Sequence, residues 1–145
     1  MKKKSIIILL FGILILSTNS IVKAQTANLT VRVTGLNEAK GGIQLGLYNN
    51  SASFPKPGLE FMVITIIVDS SVATFTISDL PVGEYAIALY HDINSDKICN
   101  KNWIGIPTES YGFSNNVRIM FSSPSFEKTK FSLNEDLAID VKLKH

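Results

Sequence analysis

The chain has a single cysteine, Cys99, and two histidines, His91 and His145. One thiol excludes an intramolecular disulfide, so stability must come from packing and from any bound ion. Cys99 lies between Ile98 and Asn100 with no neighbouring histidine to activate it, and it reads as an incidental small residue rather than a nucleophile. So few nitrogen and sulfur ligands leave a three-ligand zinc site dependent on a carboxylate such as Glu109. Long apolar runs are also scarce. The stretch from Ile6 to Leu16 is shorter than the about 20 residues a spanning helix needs, and no second run of that length follows. Amphipathic helical periodicity and internal repeats are absent.

What is present begins with Lys2-Lys3-Lys4, the apolar run, and a polar stretch closing on Val22-Lys23-Ala24. This order predicts a secretory signal peptide over residues 1–24. No cysteine stands near that edge to carry a lipoprotein anchor. Residues 25–145 then suit one compact domain without an integral membrane segment, periplasmic or extracellular. Four of the 14 basic residues (Lys2, Lys3, Lys4 and Lys23) belong to the leader, which leaves 10 (14 − 4) against 12 acidic residues. That balance disfavours nucleic acid and anionic membranes as partners and points to an extracytoplasmic ligand or an envelope protein.

Leu29, Val31 and Val33 alternate with Thr30, Arg32 and Thr34, the period of a half-buried strand. Residues 43–48 alternate likewise, and the two segments are expected to pair as a hairpin through the loop around Asn37 to Lys40. Pro55 and Pro57 exclude a central strand from 51–58. The apolar, β-branched run 61–68 predicts a strand buried on both faces. Further strands are expected over 72–77, 84–90, 117–121 and 137–143. Asp79-Leu-Pro-Val-Gly83 forms a turn, and one helical turn starts near Pro124, capped by Ser123 or Ser125. The expected fold is all-β: a single immunoglobulin-like or transthyretin-like β-sandwich of about seven antiparallel strands.

The segment 91–116, HDINSDKICNKNWIGIPTESYGFSNN, is the informative part. It hangs directly from a core strand, and at about twenty residues its loop is longer than a connection requires. Asp92, Asn94, Asp96, the Ile98 carbonyl and Asn100 stand at positions one, three, five, seven and nine of a calcium loop, because alternate side chains of a tight loop converge on one point. Trp103 occupies position twelve, where an EF-hand needs glutamate, so a standard EF-hand is excluded. Glu109 could fold back as the missing carboxylate. Equally open is a loop in which the same side chains bond their own backbone as Asx turns without an ion. A third alternative is a different metal.

His91, at the strand end, is expected to hydrogen-bond a loop carbonyl, ahead of any metal or catalytic role. Ser110 and Ser114 lack a nucleophile-elbow pattern. Tyr111, Phe113, Trp103 and Phe126 are expected to pin the loop to the core rather than form a stacking platform. Asn115 and Asn116 suit ligand recognition or the capping of a strand end.

Leu80-Pro-Val-Gly-Glu-Tyr-Ala86, His91-Asp-Ile-Asn94, Gly105-Ile-Pro-Thr-Glu109, Tyr111-Gly-Phe-Ser-Asn-Asn116 and Pro124-Ser-Phe126 together resemble the bacterial family known as domain of unknown function 2141. The resemblance implies an exported β-sandwich and brings no catalytic residues with it. It also marks two departures: the family usually has glycine at the position of Lys97 and aspartate at that of Asn100, which weakens an ion site here. The Leu-Pro-x-Gly-x-Tyr cassette is similar to the turn-strand element of transthyretin-like domains. Three readings follow. The first is a non-enzymatic module with a loop stiffened by Ca2+ or by its own bonds. The second is a hydrolase or isomerase using His91 with Asp92 or Glu109, and the third is an envelope assembly subunit marked by an apolar edge strand.

Overall fold

A computed structural model describes residues 24–119 and 122–145; the expected signal peptide, apart from Ala24, lies outside them. Eight strands form two sheets: β1 (Thr26–Thr34), β2 (Gly42–Tyr48), β3 (Met62–Ile67), β4 (Val72–Pro81), β5 (Gly83–Asp92), β6 (Tyr111–Phe113), β7 (Phe131–Leu133) and β8 (Leu137–Lys142). The smaller sheet runs β4-β1-β8, and the larger runs β3-β2-β5-β6 with β7 also paired to β5.

Alternation explains how the sheets meet. Leu29, Val31 and Val33 of β1 are buried against Ile43, Leu45 and Leu47 of β2, Ile87 and Leu89 of β5, and Val141 of β8. All residues of this core lie between Ala27 and Leu143. The outer face of the larger sheet carries a second cluster in which Phe54 packs edge-to-face on Tyr48 at 5.1 Å and meets Phe113 and Phe126 at 6.2 and 6.1 Å. Tyr85, buried at the start of β5, donates its hydroxyl to the Pro81 carbonyl at 2.7 Å. That bond ties the Leu80–Tyr85 corner as tyrosine corners do in Greek-key sandwiches.

Several expectations need correction. β1 and β2 do not form a hairpin: β1 pairs antiparallel with β4 and parallel with β8, while β2 pairs with β3 and β5. The chain crosses between sheets after Gly35, whose φ of +81° makes the turn. With β2 beside β3 in one sheet, the order differs from the seven-strand immunoglobulin constant arrangement. The sheets are therefore mostly, not wholly, antiparallel. β3 is an edge strand with one face in the core and Val63 and Ile67 exposed on the other, Ile67 at 83%. Val117–Ile119 join no sheet, and Met120 and Phe121 lie outside the described residues. Ser125 does hold the N-cap position of the helical turn α1 (Phe126–Thr129), but through its carbonyl, with no side-chain capping bond. Among the described residues, no helix is long and apolar enough to cross a membrane.

Candidate functional site

β5 delivers His91 and Asp92 to opposite faces of the larger sheet. His91 is fully buried, and its Nε2 lies 2.7 Å from the Lys40 carbonyl. A carbonyl only accepts, so Nε2 carries a proton, while Nδ1 has no hydrogen-bond partner among the described residues. The expected loop-carbonyl bond is present, and His91 makes no hydrogen bond to Asp92 or Glu109. Ser110 is nearby in the fold, since its carbonyl accepts the His91 amide at 2.8 Å. Its hydroxyl, however, is bonded to His145 Nδ1, whose other neighbour is the Asn37 side-chain amide. Among the described residues no carboxylate bonds that pair, so a serine triad is not assembled there.

The Asp92 carboxylate is 1% exposed, and its two oxygens accept the backbone amides of Asp96 at 3.1 Å and Lys97 at 2.9 Å. These bonds curl the loop. Ser95 and Lys97 sit at φ +60° and +61°, a region that glycine occupies more easily. Lys97 thus stands, with a side chain, at a position whose backbone uses the freedom of glycine. Gly41 has φ +71° and runs so close beneath Asp92 and Ile93 that a Cβ would stand 2.2 Å from the Asp92 carbonyl oxygen.

Asp96 is the hub of the loop. Its Oδ1 accepts the Ile98 amide at 2.8 Å, and its Oδ2 accepts the side-chain amides of Asn94 at 2.8 Å and Asn100 at 3.0 Å. The Asn100 side-chain nitrogen also lies 3.3 Å from the Ile98 carbonyl. Glu109 does fold back, accepting the Asn100 backbone amide at 3.1 Å. All six residues of the expected ion set therefore belong to one hydrogen-bonded loop, arranged as the Asx network that was the alternative to an ion. Both arrangements use the same oxygens. Asp92 and Asp96 retain lone pairs beyond those engaged, and turning the Asn94 and Asn100 amides would present oxygen where nitrogen now points. Such a set fits a hard cation. Among the described residues no three His, Cys, Asp or Glu side chains gather as a metal cluster, so asparagine and backbone oxygens would have to complete the set.

The bonds from Asn100, the Ile98 amide and Asn94 hold the Asp96 carboxyl below the usual carboxylate range. Asp136 is lowered likewise by the backbone and side-chain amides of Asn28. Carboxyls whose folded pKa is depressed contribute stability that is present above their unfolded value and lost as pH falls through the folded one. The melting temperature is expected to fall below about pH 4, and Asp96→Asn should flatten that acid limb. An identical limb in the variant would refute the assignment.

Tyr90, on the same outward face as Asp92, was not anticipated, although period-two counting along β5 places it there. Burial first, then the charges of Asp92, Cys99, Glu109 and Asp96, push its phenol up to about 12. Burial also raises the half-buried Cys99 thiol, with Glu109 adding to it, so the thiol is not activated.

Asn115 and Asn116 serve as backbone clamps. Asn115 donates to the carbonyls of Lys128 and Lys130, and Asn116 donates to the Asp140 carbonyl while accepting the Lys142 amide at 2.7 Å. Ser114, fully buried, accepts the Ile87 amide and donates to the Thr129 carbonyl. Tyr111, partly buried, packs against Phe113. Phe113 and Phe126 are buried as expected, but Trp103 is 95% exposed. It does not pin the loop.

Fold and site together define a two-sheet β-sandwich module carrying one long, self-bonded Asp/Asn loop. The chain belongs to the family described as an uncharacterized protein conserved in bacteria (DUF2141), whose model matches residues 31–140. No match is found among curated proteins or solved structures.

Proposed function

We propose that this protein is an exported, non-enzymatic β-sandwich module whose 92–100 loop binds Ca2+ and, so stiffened, presents a binding surface to an extracytoplasmic partner. The observation that carries the reading is convergence: oxygens of Asp96 and Ile98 both meet the one side-chain nitrogen of Asn100, at 3.0 and 3.3 Å. A cation taking that place would draw on Asp92, Asn94, Asp96, the Ile98 carbonyl and Asn100, with Glu109 adjacent. Support for the non-enzymatic part is that His91 is buried and bonded to the Lys40 carbonyl, with no hydrogen bond to Asp92 or Glu109.

Melting of residues 25–145 in excess chelator and then in millimolar Ca2+, Mg2+ and Zn2+ tests the reading. Ligand linkage gives about 2.7 kcal/mol at a hundredfold excess over Kd, several degrees for a domain of this size. A selective Ca2+ shift, lost in Asp96→Ala, is expected. A cation beside Asp92, Asp96 and Glu109 would also cancel part of the negative field on Tyr90, so its phenolate should appear at lower pH in Ca2+ than in chelator. No thermal shift and superimposable Tyr90 titrations would sink the proposal. The exposed apolar edge of β3 favours assembly between copies as a second reading, which concentration-dependent mass in solution would reveal.

A further inference from the structure

Beyond the ion loop the chain makes a second, smaller excursion, and its tip is apolar and bare. Lys101 and Pro107 form an isolated antiparallel bridge, and the turn between them is closed by the Asn102 amide on the Ile106 carbonyl at 2.8 Å and the Gly105 amide on the Asn102 carbonyl at 2.9 Å. The Asn102 side-chain oxygen accepts the amides of Ile104 at 3.1 Å and Ile106 at 3.0 Å. Trp103 is 95% exposed, and Ile104, Ile106 and nearby Ile98 are each more than half exposed. Gly105, at φ +83°, has nothing within 4 Å of where a Cβ would stand, so the turn projects into open space. Three large apolar side chains within four residues are thus held outward by a hydrogen-bonded turn.

We propose that this tip inserts into the interfacial region of a phospholipid bilayer. The argument rests on what the tip offers and what it does not. A peptide strand or an open sheet edge would pair with unsatisfied amides, but those of Asn102, Ile104, Gly105 and Ile106 are bonded within the turn. Only the Trp103 amide of this stretch has no such bond, and a tip with most of its donors paired suits the interfacial depth, where water still reaches, rather than the hydrocarbon core. The turn projects into open space at Gly105 with its apolar side chains exposed, a protrusion rather than a receptacle for a partner's anchor. Tryptophan suits the boundary itself, its ring among acyl chains and its indole N–H at headgroup level. Lys97 and Lys101, both exposed at the base of the tip, can keep their ammonium groups in the headgroup layer while their stems follow the apolar surface. Insertion is apolar rather than electrostatic, so it agrees with the net negative balance of the chain beyond the leader and does not call for anionic lipid. It does not depend on calcium in the neighbouring loop.

Trp103 is the only tryptophan in the chain, which makes it its own reporter. Residues 25–145, which contain the whole core, are titrated with phosphatidylcholine vesicles, once in chelator and once in Ca2+. The expected result is a blue shift of Trp103 emission and its quenching by lipids brominated on the acyl chains, in both conditions alike. The double variant Ile104→Ser, Ile106→Ser leaves the reporter in place. It should weaken vesicle binding by about tenfold or more, from the apolar area withdrawn, with an unchanged melting temperature because both side chains are exposed. Emission that stays unshifted and unquenched at saturating lipid in either condition overturns the proposal. So does a double variant that binds as well as the parent.

Discussion

Gly41→Ala is expected to be among the most damaging single substitutions in this domain. The new Cβ would stand 2.2 Å from the Asp92 carbonyl oxygen and 2.8 Å from the Ile93 Cα, both backbone atoms that no rotamer change can move aside. The residue would also have to hold φ +71°. Left-handed backbone costs a non-glycine residue about 1–2 kcal/mol, and a clash relieved only by shifting backbone adds about 1–3 kcal/mol. A loss of roughly 2–5 kcal/mol follows, on the order of 10 °C or more in melting temperature. Gly58→Ala is the internal control, because φ is +84° there but nothing lies within 4 Å; only the conformational part, about 1–2 kcal/mol, should appear. Equal losses in the two variants, measured by urea or thermal unfolding, would show that the close approach of Gly41 to the loop does not matter.

The contrast between these two glycines indicates how much was legible in the sequence. Both are glycines in loops, and no local pattern distinguishes the one wedged under β5 from the one in open solvent, because the difference lies in a contact between residues about fifty positions apart. Strict alternation was legible: Leu29-Val31-Val33 and the closing strand β8 face inward as their period requires. The run 61–68 was not, because with Thr65 its only polar residue the period cannot separate a core face from a solvent face. β3 accordingly proved to be an edge strand. The β1–β2 hairpin failed for a related reason. Neighbours in sequence usually pair, but two segments that each bury an apolar stripe can equally bury them against one another from opposite sheets. β6 and β7 span three residues each, too few to show a period.

At the site, the oxygen spacing from Asp92 to Asn100 was readable, whereas the return of Glu109 was an option the sequence left open. The direction of each hydrogen bond was not. Asn94 and Asn100 turn nitrogen toward Asp96, a choice set by which groups surround them once folded. Ser114 carried no signal as a cross-link, since only the packing of α1 and β5 around it makes its hydroxyl bond Ile87 and Thr129. Trp103 was misjudged because an aromatic residue near a long loop is ordinarily buried by it, whereas Asn102 here turns the chain outward just before the ring.

Asp92→Ala is the second substitution with a large expected effect, and it tests whether one buried carboxylate organises the whole loop. Asp92 lies at the end of β5, paired across from Gly42, buried at 1% exposure and with each oxygen accepting one amide of the next turn. Removing it orphans the Lys97 amide, leaves the Asp96 amide only its long bond to Asn94 Oδ1 at 3.4 Å, and takes away the carboxylate that holds Ser95 and Lys97 in left-handed backbone. Hydrogen bonds to a charged acceptor are worth about 1.5–3 kcal/mol each. Part of that is regained as the freed amides meet water, so a net loss of about 2–4 kcal/mol is expected, near 10 °C in melting temperature. Asp92→Asn keeps one acceptor oxygen and should lose about half as much. Hydrogen exchange separates the local from the global effect. The amides of Asp96, Lys97 and Ile98 should lose protection while those of Ile87 and Leu89 in the same strand keep theirs, because the core beneath is untouched. The thermal response to Ca2+ should vanish with them, since the loop that would receive the ion no longer closes. If the loop amides stay protected and the melting temperature hardly moves, the curl is built by Asp96 and its asparagines instead, and Asp96→Ala becomes the variant that opens it.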